Sequence, residues 1–312
     1  MAMSPTRLGE VNRAGGNYLE LFKTVFIPEV ITAFEQQVVL LDKHYVRTIT
    51  NGKSATFPVM GRATAAYHTP GAEIVGTNIL GNEKVINIDG LLLASVFLAN
   101  IDEAMNNYDV RGPYAAEMGR ALATAYDKNV IAEGILGSRA STLVTGLPNG
   151  ASITKTDLTS GTQALRAAAF AQACFSAATT FDANSVPEGD RFVVVKPSIY
   201  YDAVQNTDAI NRDWGGAGAY SDGKIFRVAG IEILKSANVQ TGVNYTADVH
   251  DVDQTNTYGL FFTPSAIGTV KLMDLAMEAE YLIKFQGTLM VAKYAMGHSW
   301  LRPECLIELK QV

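Results

Sequence analysis

Cysteine is scarce in this chain. Cys174 and Cys305 are the only two in 312 residues and neither stands in a Cys-x-x-Cys pair, which excludes a disulfide-stapled secreted scaffold and points to a reducing compartment. Charge is thin as well: charged residues make up 18% against 48% hydrophobic, and the formal net charge is −6. That balance excludes a disordered chain and removes the counterion release that drives tight nucleic-acid binding. Over residues 1–60, six basic side chains (Arg7, Arg13, Lys23, Lys43, Arg47, Lys53) face five acidic ones (Glu10, Glu20, Glu29, Glu35, Asp42), so there is no polybasic arm. No apolar run reaches the roughly 18 residues of a membrane helix, and Met1–Arg13 lacks the apolar centre of a secretion signal; no membrane partner is expected.

Motifs for catalysis and cofactor binding are missing too. Asn51-Gly52-Lys53-Ser54 resembles the end of a phosphate loop, but Arg47 stands where the first Gly is required and strand periodicity follows instead of a helix. The histidines, His44, His68, His250 and His298, are scattered without ligand spacing. Asp248, His250, Asp251 and Asp253 crowd together, yet Asn256 and Phe262 replace the turn Gly and the bidentate Glu of a calcium loop; a solvated acidic loop is the reading. There is no Gly-x-Ser-x-Gly elbow, and Gly215-Gly216-Ala217-Gly218 lacks the third Gly of a dinucleotide fingerprint. Neither an enzyme, a metal site nor a cofactor is expected.

What is present reads as one large α+β chain. A polar, Gly-rich leader runs to Asn17. Pro28 opens a helix with Ile31, Phe34, Val38 and Leu41 on one stripe. Ser54–Met60 and Lys84–Asp89 alternate like strands and fit an antiparallel hairpin, with Pro58 at an edge. Between them Gly61–Glu83 is long, Gly-rich and poor in apolar anchors, which fits either a projecting arm ordered by another subunit or a flexible surface loop. The longest helical signal starts near Asp109 or Gly112, places Tyr114, Met118, Ala121, Ala125, Ala132 and Leu136 near heptad spacing, and meets Gly137 as a stop.

Further on, the spacing predicts a helix over Thr162–Ala178, a strand over Arg191–Lys196, and a helix over Ile199–Gln205 capped by Ser198. Strands are expected at Ile225–Leu234, broken by Gly230, and at Tyr258–Thr263. Val270–Leu275 reads as strand or helix, and Thr288–Met296 and Glu304–Lys310 as strands either side of Gly297-His298. The late strands are expected to rejoin the long helix, making the middle segment an inserted second domain.

Three blocks then resemble the major capsid proteins of short-tailed, podovirus-type phages: GKSATFPVMGRATAAYHTPGAE at Gly52–Glu73, continued by EKVINIDGLL at Glu83–Leu92; IDEAMNNYDVRGPYAAEMGRALA at Ile101–Ala123; and AIGTVKLMDLAMEAEYLIKFQGTLMVAKYAMGHSWLRPE at Ala266–Glu304. A shorter echo is VPEGDRFVVVKPSIY at Val186–Tyr200. The resemblance implies the tailed-phage capsid (Johnson) fold: an N-terminal arm at 1–50, an extended loop at 51–91, a peripheral domain at 92–145 and 285–312 with its spine helix at 109–136, and an axial domain at 146–284.

The function implied is a major capsid protein, assembling as hexamers and pentamers into an icosahedral head around packaged double-stranded DNA without sequence-specific binding. Its partners would be further copies of itself, a scaffolding protein during assembly in the host cytoplasm, a portal at one vertex and, as an option open to such shells, a decoration protein. The candidate inter-subunit residues are Arg62, Tyr67 and Glu73 on the projecting loop, Lys84 and Asp89 at its base, Asp102, Glu103, Asp109 and Arg111 before the spine helix, and Lys271, Asp274, Glu278, Lys293 and Arg302 in the third block. An encapsulin-like cargo compartment of the same fold is the alternative, and an α/β enzyme using Asp248–Asp253 is a third reading.

Overall fold

The computed structural model describes residues 32–34, 38–65, 67–71, 73–74, 76, 78–105, 111–205, 227–246 and 249–311. Along the chain lie β1 (Tyr45–Thr48), β2 (Ser54–Met60), β3 (Gly81–Asn87), β4 (Leu92–Ala99), α1 (Asn100–Met105), α2 (Arg111–Ser138), β5 (Ala151–Thr154), α3 (Gln163–Ala183), β6 (Phe192–Val195) and α4 (Pro197–Val204). There follow β7 (Arg227–Val228), β8 (Ile231–Lys235), β9 (Asn244–Tyr245), β10 (Val252–Asp253), β11 (Thr257–Phe262), β12 (Ile267–Leu282), β13 (Gly287–Trp300) and β14 (Leu306–Lys310). The chain divides into two units, one of Met1–Val38, Gly90–Tyr126 and Met273–Met296, the other of Val39–Asp89, Asp127–Leu272 and Gly297–Val312.

The larger unit is built on a six-stranded sheet in the order β5-β14-β11-β6-β8-β7. Every residue of β6 is buried, as an uninterrupted Phe-Val-Val-Val run requires when a strand is covered on both faces. It pairs antiparallel with β11 and parallel with β8. The C-terminal strand β14 lies in the same sheet, antiparallel to β11 and parallel to β5. Helix α3 buries Ala167, Phe170, Cys174, Ala177 and Phe181 at steps of three and four, the stripe of a helix lying on a core. Burial pushes the Cys174 thiol up to about 12, which leaves it inert.

Several expectations are corrected locally. Helix α4 starts at Pro197, so Lys196 and not Ser198 occupies its N-cap position; a proline at the first helical position is already set to helical φ. Ala229 and Gly230 take φ of 51° and 76°, turning β7 back on β8 as an antiparallel hairpin. The spine helix α2 continues past Gly137 to Ser138. Gly137 is there for closeness: a Cβ on it would sit 2.4 Å from Leu306 Cδ1 and 2.5 Å from Trp300 Cβ, and one on Gly134 would sit 2.2 Å from Leu260 Cδ2. The buried stripe of the first half of the helix is Ala115, Met118, Leu122 and Tyr126; Met118 falls where expected, whereas Tyr114 and Ala121 are exposed and the residues one position on, Ala115 and Leu122, are buried instead. Val130 to Ile135 are then buried without a break, and a helix wrapped all round carries no stripe to read.

Strands β2 and β3 form the expected antiparallel hairpin, in register from Ser54↔Asn87 to Met60↔Gly81. Ala55, Phe57 and Ile86 pack with Val270 and Leu301. The ladder reaches Gly81, so Gly81, Asn82 and Glu83 belong to β3 and not to the arm. The smaller unit holds β4 against the first part of β13, in register from Gly287↔Ala99 to Tyr294↔Leu92. Phe34 sets its ring on Tyr126 and Tyr294, at 5.9 and 6.2 Å between centroids. β12 and β13, hydrogen-bonded neighbours, continue as single strands of 16 and 14 residues; β13 passes straight through Gly297-His298, where a break was expected.

Candidate assembly surfaces

Beyond the last rung of the β2–β3 ladder the chain leaves its own core. Gly61 N–H still donates to the Leu80 carbonyl at 2.9 Å, but every described residue from Arg62 to Leu80 is exposed. Tyr67 and Ile74 are 106% and 79% exposed. Large apolar side chains in that state gain about 1.5–3 kcal/mol each from being covered. Glu73 lies on the same stretch and is exposed. The Arg62 guanidinium donates to the Asn184 carbonyl.

The hairpin's root is held differently. Lys84 Nζ stands over the Trp300 ring at 3.6 Å from its centroid, and Asn82 donates to the Leu143 carbonyl at 2.7 Å. Asp89 Oδ2 lies 2.9 Å from His250 Nε2, whose ring places Nδ1 2.8 Å from Glu133 Oε1. Burial alone would lower the His250 pKa, but hydrogen bonds to Asp89 and Glu133, with their charges, carry it up to about 9. His250 is 2% exposed, whereas Asp251 and Asp253 of the same run are exposed, as a solvated acidic loop requires; Asp248 falls outside the described residues.

The smaller unit presents a second exposed apolar surface. On β4, Leu93 and Phe97 face outward at 54% and 45% exposure, the alternation of a strand with one covered face. Phe285 stacks edge-on against Phe97 at 6.5 Å, and Ile283, Ile101 and Met105 are exposed at 73%, 67% and 72%. Scattered single hydrophobics need no explanation, whereas clusters of this kind mark interaction surfaces.

Of the remaining expected residues, Lys293 and Glu278 form an ion pair of 2.8 Å. Asp102 is exposed on α1, which also contains Glu103. Arg111 begins α2 and is partly covered, and Asp109 lies outside the described residues. Lys271 is half-buried on β12, its carbonyl accepting from Ile49 N–H at 2.9 Å. Asp274 is exposed and accepts from Leu275 N–H at 3.0 Å, and Arg302 is exposed before the Pro303–Cys305 turn. Lys293 and Glu278 are thus two of these candidates that meet directly.

The polar residues that hold this region together gave no signal in sequence. Asp127, fully buried, accepts from Val39 N–H at 3.2 Å, Leu40 N–H at 3.3 Å and Asn238 Nδ2 at 3.1 Å. Burial pushes its pKa up, against those three hydrogen bonds. Among the described residues no group of three or more His, Cys, Asp or Glu could hold a metal ion, and no helix is long and apolar enough to cross a membrane.

A long spine helix, a protruding hairpin and a central mixed sheet together define the tailed-phage capsid fold. The capsid structure of the cyanophage P-SCSP1u superposes with a TM-score of 0.77 at 42% identity, covering 100% of this chain and 99% of that one. Residues 56–310 match the family model described as Gp10A-like, major capsid protein. The major capsid protein of Escherichia phage T7 is 35% identical over 331 residues, 96% of this chain and 94% of that protein. That of Enterobacteria phage T3 is 36% identical over 319 residues, 94% and 92%. The chain belongs to the Gp10A-like major capsid protein family, and its place is the shell of the virion.

Proposed function

We propose that this capsid protein assembles as hexamers and pentamers into an icosahedral head that encloses packaged double-stranded DNA, and that it works by covering surface and not by catalysis. The observation that carries the reading is that the described residues between Arg62 and Leu80 are all exposed. Burial of Tyr67 and Ile74 under a neighbouring copy would order the arm and hold the two copies together. The net charge of −6 suits containment, since a lining that bound phosphate tightly would resist packing and release of the genome.

In this scheme 1–50 is the N-terminal arm, 51–91 the extended loop, 92–145 with 285–312 the peripheral domain, and 146–284 the axial domain. Strand β14, assigned to the peripheral segment by sequence, pairs with β5 and β11 within the larger unit. Arg62, Tyr67 and Glu73 would meet a neighbour through the arm, Lys84 and Asp89 would set its angle, and Asp102, Glu103, Asp109, Arg111, Lys271, Asp274, Glu278, Lys293 and Arg302 would supply polar contacts between copies. Individually such exposed charges contribute about 0–1 kcal/mol, so the apolar anchors dominate. A scaffolding protein would guide assembly in the host cytoplasm, and a portal would replace one vertex.

Replacing residues 62–79 by a two-residue turn tests the reading. The expected product is folded, soluble protein that forms no closed particles in negative-stain micrographs. A normal yield of closed particles from that variant would refute it.

A further inference from the structure

Three of the four histidines converge in the interior of the larger unit. His44, His298 and His250 are 7%, 5% and 2% exposed, and Thr269 between the first two is fully buried. His44 Nδ1 lies 2.6 Å from the Leu40 carbonyl and Nε2 2.7 Å from Thr269 Oγ1. Thr269 Oγ1 in turn lies 2.9 Å from His298 Nδ1. The His298 and His250 rings stand 5.8 Å apart, and His250 bridges Asp89 and Glu133. The chain of contacts thus joins the segment before β1, strands β12 and β13, the loop before β10, the spine helix and the exit of β3.

Hydrogen-bond chemistry sets the protons along this chain. A carbonyl only accepts, so His44 carries its hydrogen on Nδ1, and a neutral His44 accepts at Nε2 from the Thr269 hydroxyl. Thr269 oxygen then accepts from His298 Nδ1–H. His250 faces a carboxylate at each nitrogen, so both donate and the ring is an imidazolium. The resting cluster therefore holds one cation, two neutral imidazoles and two carboxylates. A proton on His44 Nε2 would turn that nitrogen into a donor and take the acceptor away from the Thr269 hydroxyl hydrogen. A proton on His298 would set a second cation beside His250.

The surroundings agree with this assignment. Burial holds His44 down to about 4, with the Lys271 charge adding to it and the Leu40 carbonyl and Asp42 opposing. Burial, then the charges of His250 and His44, hold His298 well below its ordinary value. Besides Asp89 and Glu133, Lys84 on β3 feels the Glu133 charge, and Lys271 and Asp42 act on His44. The packing leaves no slack: a Cβ on Gly297 would lie 2.0 Å from the Asn87 carbonyl oxygen, so β13 is pressed against the end of β3 where the hairpin is rooted.

We propose that the His44–Thr269–His298–His250 chain is a proton-operated latch, holding the hairpin root through Asp89 and the segment before β1 through His44, and that acidification opens it by charging His44 and His298 beside the imidazolium of His250. The latch acts within a single chain and does not depend on how copies assemble.

Hydrogen–deuterium exchange on the full chain tests it, at about pH 7.5 and about pH 4.5 with labelling times scaled for the intrinsic exchange rate. The expected result is an approximately tenfold loss of protection in peptides covering 84–90 and 39–48 at the lower pH, while β11 at 257–262 keeps its protection. The double variant His44→Gln, His298→Gln should stay protected at both pH values, and the exposed His68→Gln variant should behave like the parent chain. Equal protection of 84–90 at both pH values in the parent chain overturns the proposal, and this comparison needs no variant to fold. So does an identical acid loss in a folded double variant.

Discussion

Lys84 Nζ rests 3.6 Å from the centroid of the Trp300 ring, directly across the ladder from Phe57. This contact fastens a strand of the hairpin to the end of β13 with a cation whose own pKa burial draws down, the Glu133 charge opposing. A desolvated cation–π pair contributes about 1–2 kcal/mol. Lys84→Met should lower the unfolding free energy read from urea titration by that amount, and Lys84→Arg should recover most of it. Equal midpoints for the parent chain and Lys84→Met would show that the ring contact is idle.

Glu308 is fully buried, held by Arg139 through Nε at 2.8 Å and Nη2 at 2.6 Å, and by the Thr257 hydroxyl at 2.5 Å. Lys310 Nζ is farther, at 3.2 Å. Removing the guanidinium leaves a buried carboxylate short of its main partner, so Arg139→Ala should cost about 3–5 kcal/mol in equilibrium unfolding. Glu308→Gln in the Arg139→Ala background should restore part of that loss, because the charge left behind is the main penalty.

At Gly134 a methyl group would collide with Leu260 and come within 3.0 Å of Ile267 Cδ1. Gly134→Ala raises helix propensity by about 1 kcal/mol, yet overpacking costs about 1–3 kcal/mol. The expected outcome is net destabilisation, read as a lower thermal midpoint. A rise in that midpoint would mean that the sheet gives way easily.

Stability should also fall on the alkaline side. His250 has its folded pKa raised from 6.5 to about 9, so its contribution is complete below pH 6.5 and is lost as the pH rises through about 9. The loss is on the order of 1–3 kcal/mol. Denaturant midpoints measured across that window should decline in the parent chain and run flatter in His250→Gln.

Elements with a clean local period were readable from the residues alone. Ala55, Phe57 and Val59 alternate with exposed neighbours, and β11 and α3 fall within a few residues of expectation. β4 carried no such signal, because Leu91 to Leu93 and Val96 to Leu98 are apolar on both faces while their exposures alternate. Gly297 suggested a break in β13, but it is needed there for close approach to Asn87. The histidine chain was invisible for another reason: Thr269 stands 225 positions from His44, and His250 stands 161 from Asp89. Spacing rules see neighbours along the chain, and these partners meet only after the sheet and spine have formed.

The exposed described residues between Arg62 and Leu80 also bear on how a growing particle would be policed. On the proposed reading a lone copy would offer any protease an open limb, whereas a copy seated among its neighbours would keep the same limb under cover. Digestion would trim unfinished edges first and spare the closed shell, so resistance to cleavage would mark completion.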